Sequence, residues 1–258
     1  MNIAVCFKQV PDTTVVKRIV PETMWLDRDV QCVPNPFDEY AVEEALRLVE
    51  KHGGSVTAVC IGPTKAMESM RRVLSMGVER GILVSDDALA GSDSLGTARA
   101  LAAALHSEPF DLIISGIEST DARTGIMPAR VAELLGLPQL TFARKVTVAD
   151  GKVTVERQTD EGAVIAEAAL PVFVTVVKGI NEPRYPSLKN IMGAKKKEVK
   201  QFTLAQLGLD PATVGKAGAH VQVVALAYPE PRKVGEVVQA EGRGGTLIAD
   251  FLERAKVI

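Results

Sequence analysis

Short apolar runs rich in valine and isoleucine recur along the first two-thirds of the chain, at residues 2–7, 55–61, 81–84 and 111–115. Each is bounded by Gly, Pro or Asp, the pattern of parallel strands buried on both faces. Helical patterns lie between them. In residues 38–51, Ala41, Ala45 and Leu48 recur at i, i+4 and i+7, with acids near the start and Gly53-Gly54 at the end. Thr64 is placed to cap a helix over 65–76, where Met67, Met70 and Leu74 line one face and Gly77 stops it. Residues 94–106 form an alanine-rich helical stretch, and 124–135 another that ends at Gly136. Strands alternating with helices of this length predict an α/β fold: a doubly wound, mostly parallel sheet with helices on both faces.

Two stretches break the alternation. Residues 15–33 hold short β-prone pieces around Pro21 and Asp27, which read as a hairpin or extended excursion. Residues 140–177 alternate strand-like runs (144–148, 152–157, 163–168) with turns at Asp150-Gly151 and Glu161-Gly162. Asp-Gly between alternating runs is a strong hairpin signal, so a small antiparallel section is expected there. From about Gln201 the pattern dissolves into Leu204, Leu207, the run 221–226 and a last helix near 246–256, interrupted by Pro229, Pro231 and glycines. The chain therefore divides into a nucleotide-binding α/β domain over 1–200 and an extended C-terminal arm over 201–258.

The segment 182–199 stands apart from both. It follows an apolar run at 170–177 that reads as a buried strand returning to the main sheet. Pro183 and Pro186 argue against regular helix or central strand across 184–187. Beyond them come Leu188, Ile191 and Met192 among polar residues, then Lys195, Lys196 and Lys197. Two readings stand side by side. Either this is a docking loop for an acidic partner with an apolar pocket, or its Leu and Ile fold back into the core while the lysines are merely solvated.

Composition narrows the function classes. The 258 residues suffice for one large α/β domain with a small appendage. A net charge of −2 and an isoelectric point near 6.0 give no global basic field for nucleic acid. Cys6, Cys32 and Cys60 are odd in number and widely spaced, and they make no ligand cluster with His52, His106 or His220. Reduced thiols follow. No run of about 18 apolar residues offers a membrane span, and the chain opens directly on a strand, so a cytoplasmic protein is expected.

The sequence has neither a P-loop nor a Gly-x-Gly-x-x-Gly after the first strand, and no histidine sits in a nucleophile motif. No independent case arises for an enzyme with its own bond chemistry. A nucleotide site is expected instead at the C-terminal ends of the parallel strands. Three segments converge there: Cys6-Phe7-Lys8, Asn35-Pro36-Phe37-Asp38, and the Ser/Thr/Gly loop over 116–127. With Arg123, Thr124 and Gly125 at a helix start, unpaired donors and the macrodipole would face a phosphate. The alternative makes Thr120 or Asp121 a simple helix cap.

Segment 181–197 resembles the partner-recognition loop of the electron-transferring flavoprotein β-subunit family. The resemblance rests on Asn-Glu-Pro-Arg-Tyr at 181–185, Leu188, Asn-Ile-Met at 190–192 and Ala-Lys-Lys-Lys at 194–197. It extends to Val-Cys-Phe-Lys-Gln-Val-Pro-Asp at 5–12, Asn-Pro-Phe at 35–37 and Ala-Val-Glu-Glu-Ala-Leu at 41–46. Leu-Ser-Met-Gly at 74–77 stands where the family has Ala-Met-Gly. The likeness spans the whole chain in order.

Such a resemblance implies a heterodimer with an α subunit that holds most of the FAD and onto which the C-terminal arm packs. It implies electrons accepted from acyl-CoA-type dehydrogenases and passed to a quinone-linked oxidoreductase. Tyr185, Leu188, Asn190, Ile191, Met192 and Lys195–Lys197 would then meet partners, with Leu188 as the anchoring side chain and Ile191 and Met192 supporting it from beneath. Phe37 would lie against the isoalloxazine region, unless it is a core residue that anchors its helix. The three strand-end segments, with the turn Cys60-Ile61-Gly62, would bind a structural AMP: adenine near Cys6, Phe7 and Ile61, phosphate at Arg123–Gly125. Here the sequence departs from the family. Its loop usually carries Asn-Gln-Thr-Gly-Gln-Met, whereas this chain has Ala122, Arg123, Thr124, Gly125, Ile126 and Met127. Thr124, Gly125 and Met127 match; the two amides do not. Bifurcating relatives place a second FAD in this pocket, while the 190–197 pattern resembles the AMP type.

Overall fold

Asn2–Cys6 (β1) has four consecutive buried residues and sits in mid-sheet, which is why its sequence is apolar on both faces. The computed structural model describes residues 1–231, 235 and 237–258, so residues 232–234 and 236 of the expected arm lie outside the described residues. After β1 the chain leaves the sheet on the predicted excursion. Gln9–Pro11 (β2) pairs antiparallel with Cys32–Pro34 (β5), and between them Ile19–Val20 (β3) pairs with Trp25–Leu26 (β4).

Pro36–His52 (α1) then opens with proline in its first turn, Asp38 and Glu39 beside the positive end of its dipole, and Lys51 and His52 at the other. It leads to Ser55–Ile61 (β6), parallel to β1. The helix expected over 65–76 is shorter. A 3-10 turn at Thr64–Ala66 precedes Met67–Ser75 (α2), and Thr64 makes no capping bond. Arg80–Val84 (β7), Ser94–His106 (α3) and Leu112–Gly116 (β8) follow. Asp93 caps α3, its carboxylate accepting from the amides of Leu95 and Gly96.

The next helix begins at Met127, not at 124. Arg123 (φ 50°) and Gly125 (φ 64°) hold left-handed backbone that no helix continues through, and Pro128 suits the first turn of Met127–Leu135 (α4). Gln139–Ala149 (β9), Lys152–Thr159 (β10) and Gly162–Ala169 (β11) form the expected antiparallel section, and Val172–Val176 (β12) returns to the parallel core.

Residues 182–187 are non-helical, as their prolines require, but Leu188–Ala194 (α5) is a short helix where an irregular loop was expected. The Ser187 hydroxyl caps it by accepting from the amide of Asn190 at 3.2 Å. A further strand, Val199–Phe202 (β13), pairs with β7 at the sheet edge. Among the described residues the main sheet has nine strands, in the order β11-β10-β9-β12-β8-β1-β6-β7-β13. On one face α1 and α2 bury Val42, Leu46, Met70 and Leu74; on the other α3 and α4 bury Leu101, Leu105 and Val131.

The larger compact unit runs from Met1 to Val224. Leu204 and Val214, beyond the last strand, are buried with Ala100 of α3. Among the described residues of the smaller unit, Ala225 to Ile258, Gly244–Arg254 forms a helix (α6) with Ile248 and Phe251 exposed. Among the described residues no helix is long and apolar enough to cross a membrane.

Candidate functional site

The strand order reverses direction between β1 and β8: from β1 the chain winds outward through β6 and β7, then returns to β8 on the other side. The crevice above such a switch is where open α/β sheets receive ligands. Here one buried side chain staples it. Asp38, in the first turn of α1, accepts from the Lys8 amide with one oxygen (2.9 Å) and from the Gly116 amide with the other (3.1 Å). Gly116 admits this closeness because a Cβ there would lie 2.6 Å from the Asp38 carboxylate and 2.8 Å from the Phe37 backbone. Burial pushes the Asp38 carboxyl up to about 7, against the pull of those amides.

Asn35 ties in the third segment. It precedes α1 but does not cap it with its side chain. Its amide instead donates to the Glu118 carbonyl at 2.8 Å and accepts from the Thr120 amide at 3.1 Å. The loop after β8 is thereby sewn to the start of α1.

Asp121, expected at most to be a helix cap, is the electrostatic centre. Its side chain is 1% exposed and meets two cations: Lys8 at 2.8 Å and Arg28 in a short contact. Burial opposes its charge, but the Lys8 ammonium and the hydrogen bonds from Lys8, Ser119 and Arg28 outweigh burial and hold it at about 2. Lys17 reaches the Thr120 carbonyl at 3.4 Å. Lys8 and Arg28 remain nearly half exposed, so the loop carries a cationic rim around one buried anion. The Thr120 hydroxyl is buried without a protein partner. An orphaned hydroxyl beside exposed cations suits an anionic oxygen.

The structure therefore brings together Cys6, Phe7, Lys8, Asn35, Pro36, Phe37 and Asp38 with the beginning of the loop. Cys6 and Phe7 are buried, and Ile61 and Phe37 half-buried. Burial raises the Cys6 thiol strongly and the Cys60 thiol to about 12, so neither is a thiolate. Arg123, Thr124, Gly125 and Ile126 behave otherwise than expected. They are exposed on a turn that precedes α4 rather than within its first turn, and Pro128 removes one of the donors that turn would offer. Met127 is half-buried against the α3–α4 core. Sequence reading missed Asp121 and Arg28 as a pair. Only the fold brings the excursion against the loop after β8, and neither residue sits in a recognisable motif.

The second candidate region is α5. Leu188 is 79% exposed, Met192 71%, and Tyr185 and Ile191 also face solvent. The reading in which Leu188 and Ile191 fold back into the core is thus excluded; Ile191 and Met192 follow Leu188 by three and four residues on the same helix. Lys195 and Lys196 are exposed. Lys197 is not free: its ammonium donates to the carbonyls of Leu74 (2.9 Å) and Val78 (2.6 Å), closing the end of α2. Burial lowers its pKa.

Comparison with known proteins adds the following. The family model described as the electron transfer flavoprotein domain matches residues 23–207. The chain is 46% identical over 265 residues to the electron transfer flavoprotein subunit beta of Mycobacterium tuberculosis, covering 100% of this chain and 99% of the relative. To the subunit beta of Thermoanaerobacterium thermosaccharolyticum it is 42% identical over 239 residues, 92% of each chain. To that of Megasphaera elsdenii it is 36% identical over 258 residues, 97% of this chain and 96% of the relative.

Proposed function

The chain belongs to the electron transfer flavoprotein family, in its β-subunit group, and from that premise we propose the following reading. It is the β half of a two-subunit electron carrier, without bond chemistry of its own. Its α-subunit partner holds most of the FAD, which supplies the redox chemistry when bound. The donors are acyl-CoA-type dehydrogenases of fatty acid oxidation, the acceptor is a quinone-linked oxidoreductase, and the work is done in the cytoplasm. The observation that carries this reading is similarity over the full length, at 46% identity, to proteins named as β subunits.

Each part of the chain has a place in it. AMP lies in the switch-point crevice as a structural ligand, its adenine toward Cys6, Phe7 and Ile61. Its phosphate is held by the cationic rim of Lys8, Lys17 and Arg28, the orphaned Thr120 hydroxyl, and the turn Arg123–Gly125. The Asn35-Pro36-Phe37 corner faces the flavin, with Phe37 excluding water from one side of it. Leu188 inserts into an apolar pocket on the dehydrogenase, flanked by Tyr185, Asn190, Ile191 and Met192, while Lys195 and Lys196 raise the encounter rate with acidic surfaces. The segment after Val224 packs on the α subunit through the apolar side of α6.

A second reading puts a redox-active FAD in the crevice. Its ground is the loop over 122–127, where Ala122, Arg123 and Ile126 depart from the Asn-Gln-Thr-Gly-Gln-Met pattern of the AMP type. Co-expression with the α partner, followed by stopped-flow reduction of the purified heterodimer by a substrate-reduced acyl-CoA dehydrogenase, tests the main reading. Rapid bleaching of the flavin supports it. A flavin that bleaches only with a chemical reductant contradicts it.

A further inference from the structure

A helix of seven residues does not persist in water on its own, because nucleation costs more than so few bonds return. Yet α5, Leu188–Ala194, displays Leu188, Ile191 and Met192 to solvent and buries only Ala194. Something other than apolar packing holds it, and the structure shows what.

Before the helix, residues 181–184 are fastened to α1. The Arg184 guanidinium donates to both oxygens of Glu43, at 2.7 and 3.2 Å, and its own amide donates to Glu43 at 3.2 Å. The same guanidinium reaches both oxygens of Glu50, at 2.5 and 3.1 Å. Arg47 donates to Glu43 at 2.6 Å and to the Glu182 carbonyl at 3.3 Å. Asn181 bonds the Tyr40 carbonyl and Glu44, both at 3.0 Å. After the helix, Arg71 of α2 donates to the carbonyls of Ala194 (2.8 Å) and Lys197 (2.7 Å). The side chain of Glu43 is 3% exposed, although it is a carboxylate on the outer layer of the fold. Two arginines and a backbone amide are its compensation, and it is the member on which the upstream clamp converges.

We infer that Glu43 is the positioning residue of the α5 surface: by fixing Arg184 it holds the helix in its docking orientation before any partner arrives. The inference rests on the docking reading above and adds its mechanism. Order supplied within the free protein is order the encounter need not supply, so the clamp acts on affinity and leaves the electron-transfer step alone. The clamp also joins two regions far apart in the chain, since the helix that carries Glu43 begins at the Phe37 corner.

The test uses the intact heterodimer as substrate of an acyl-CoA dehydrogenase, with Glu43→Gln as the variant. Gln keeps the shape but loses the charge and replaces one of the two accepting oxygens with an NH2 group, which turns donors toward an arginine that now donates there. The expected result is a KM for the heterodimer raised about five- to twenty-fold with kcat within about twofold. Amide exchange at Asn190 and Ile191, whose N–H groups bond Ser187, should quicken by about tenfold or more. Arg184→Lys, which retains the charge but loses the fork, should move both readouts the same way and carries the test if Glu43→Gln fails to assemble. Unchanged exchange at these amides overturns the inference, and so does a fall in kcat at constant KM or faster exchange with KM unaltered. Leu188→Ala is measured alongside. If it leaves KM untouched while Glu43→Gln still frees the amides, the docking reading fails and the clamp stands as a purely structural device.

Discussion

Asp121→Asn removes a buried charge at the centre of the candidate site and leaves its shape almost unchanged. The carboxyl falls from an ordinary 3.8 to about 2 in the folded chain. Such a lowering corresponds to about 2 kcal/mol of stability at neutral pH. Its partners Lys8 and Arg28 are 41% and 44% exposed, and solvent screening reduces this to about 1–2 kcal/mol. The sign follows from the depressed pKa: the contribution is complete above pH 4 and is lost as pH falls through 2. By pH 3 about half is gone. Urea unfolding followed by circular dichroism should therefore find the variant less stable by about 1–2 kcal/mol at pH 7, with the gap to the parent protein roughly halved at pH 3. A gap of constant size at both values would refute the electrostatic account and leave Asp121 as a shape-filling side chain.

Four further outcomes follow from the same geometry. Leu188→Ala should leave folding and flavin content intact, since the side chain is largely exposed, yet cost on the order of 1–3 kcal/mol of binding to the dehydrogenase, read as a raised KM. Phe37→Ala should alter the flavin absorbance of the heterodimer; because Phe37 is only half-buried, the stability loss in thermal unfolding should stay near 1–2.5 kcal/mol, and an unchanged spectrum would make it a packing residue. Lys195→Gln with Lys196→Gln should slow association and flatten its salt dependence, whereas Lys197→Gln should act on stability by about 1–2 kcal/mol through the lost carbonyl bonds, with the on-rate little changed.

What the sequence revealed depended on how local each feature's cause is. The parallel strands were legible because burial on both faces writes an apolar run, and the β9–β10 hairpin because Asp150 and Gly151 both take positive φ, as Asp-Gly turns do. The helix α5 was hidden, since its support comes from Arg71, Glu43 and Ser187 rather than from its own residues. Strand β13 was hidden because a half-exposed edge strand carries no apolar run. At the site, Cys6–Lys8 and Asn35–Asp38 were found from their positions at a strand end and a helix start. Asp38 looked like an ordinary helix-start acid and is a staple across the sheet's switch point. The helix expected from Thr124 begins only at Met127, because left-handed backbone at Arg123 and Gly125 is invisible in composition.

The most direct test of the account is the nucleotide content of the protein assembled with its α partner, released by denaturation and quantified by chromatography. The account predicts one FAD and one AMP per heterodimer, with the AMP lost in variants that dismantle the Lys8–Asp121–Arg28 group. Two FAD and no AMP would contradict it, and would make this chain a redox-active flavin carrier in its own right.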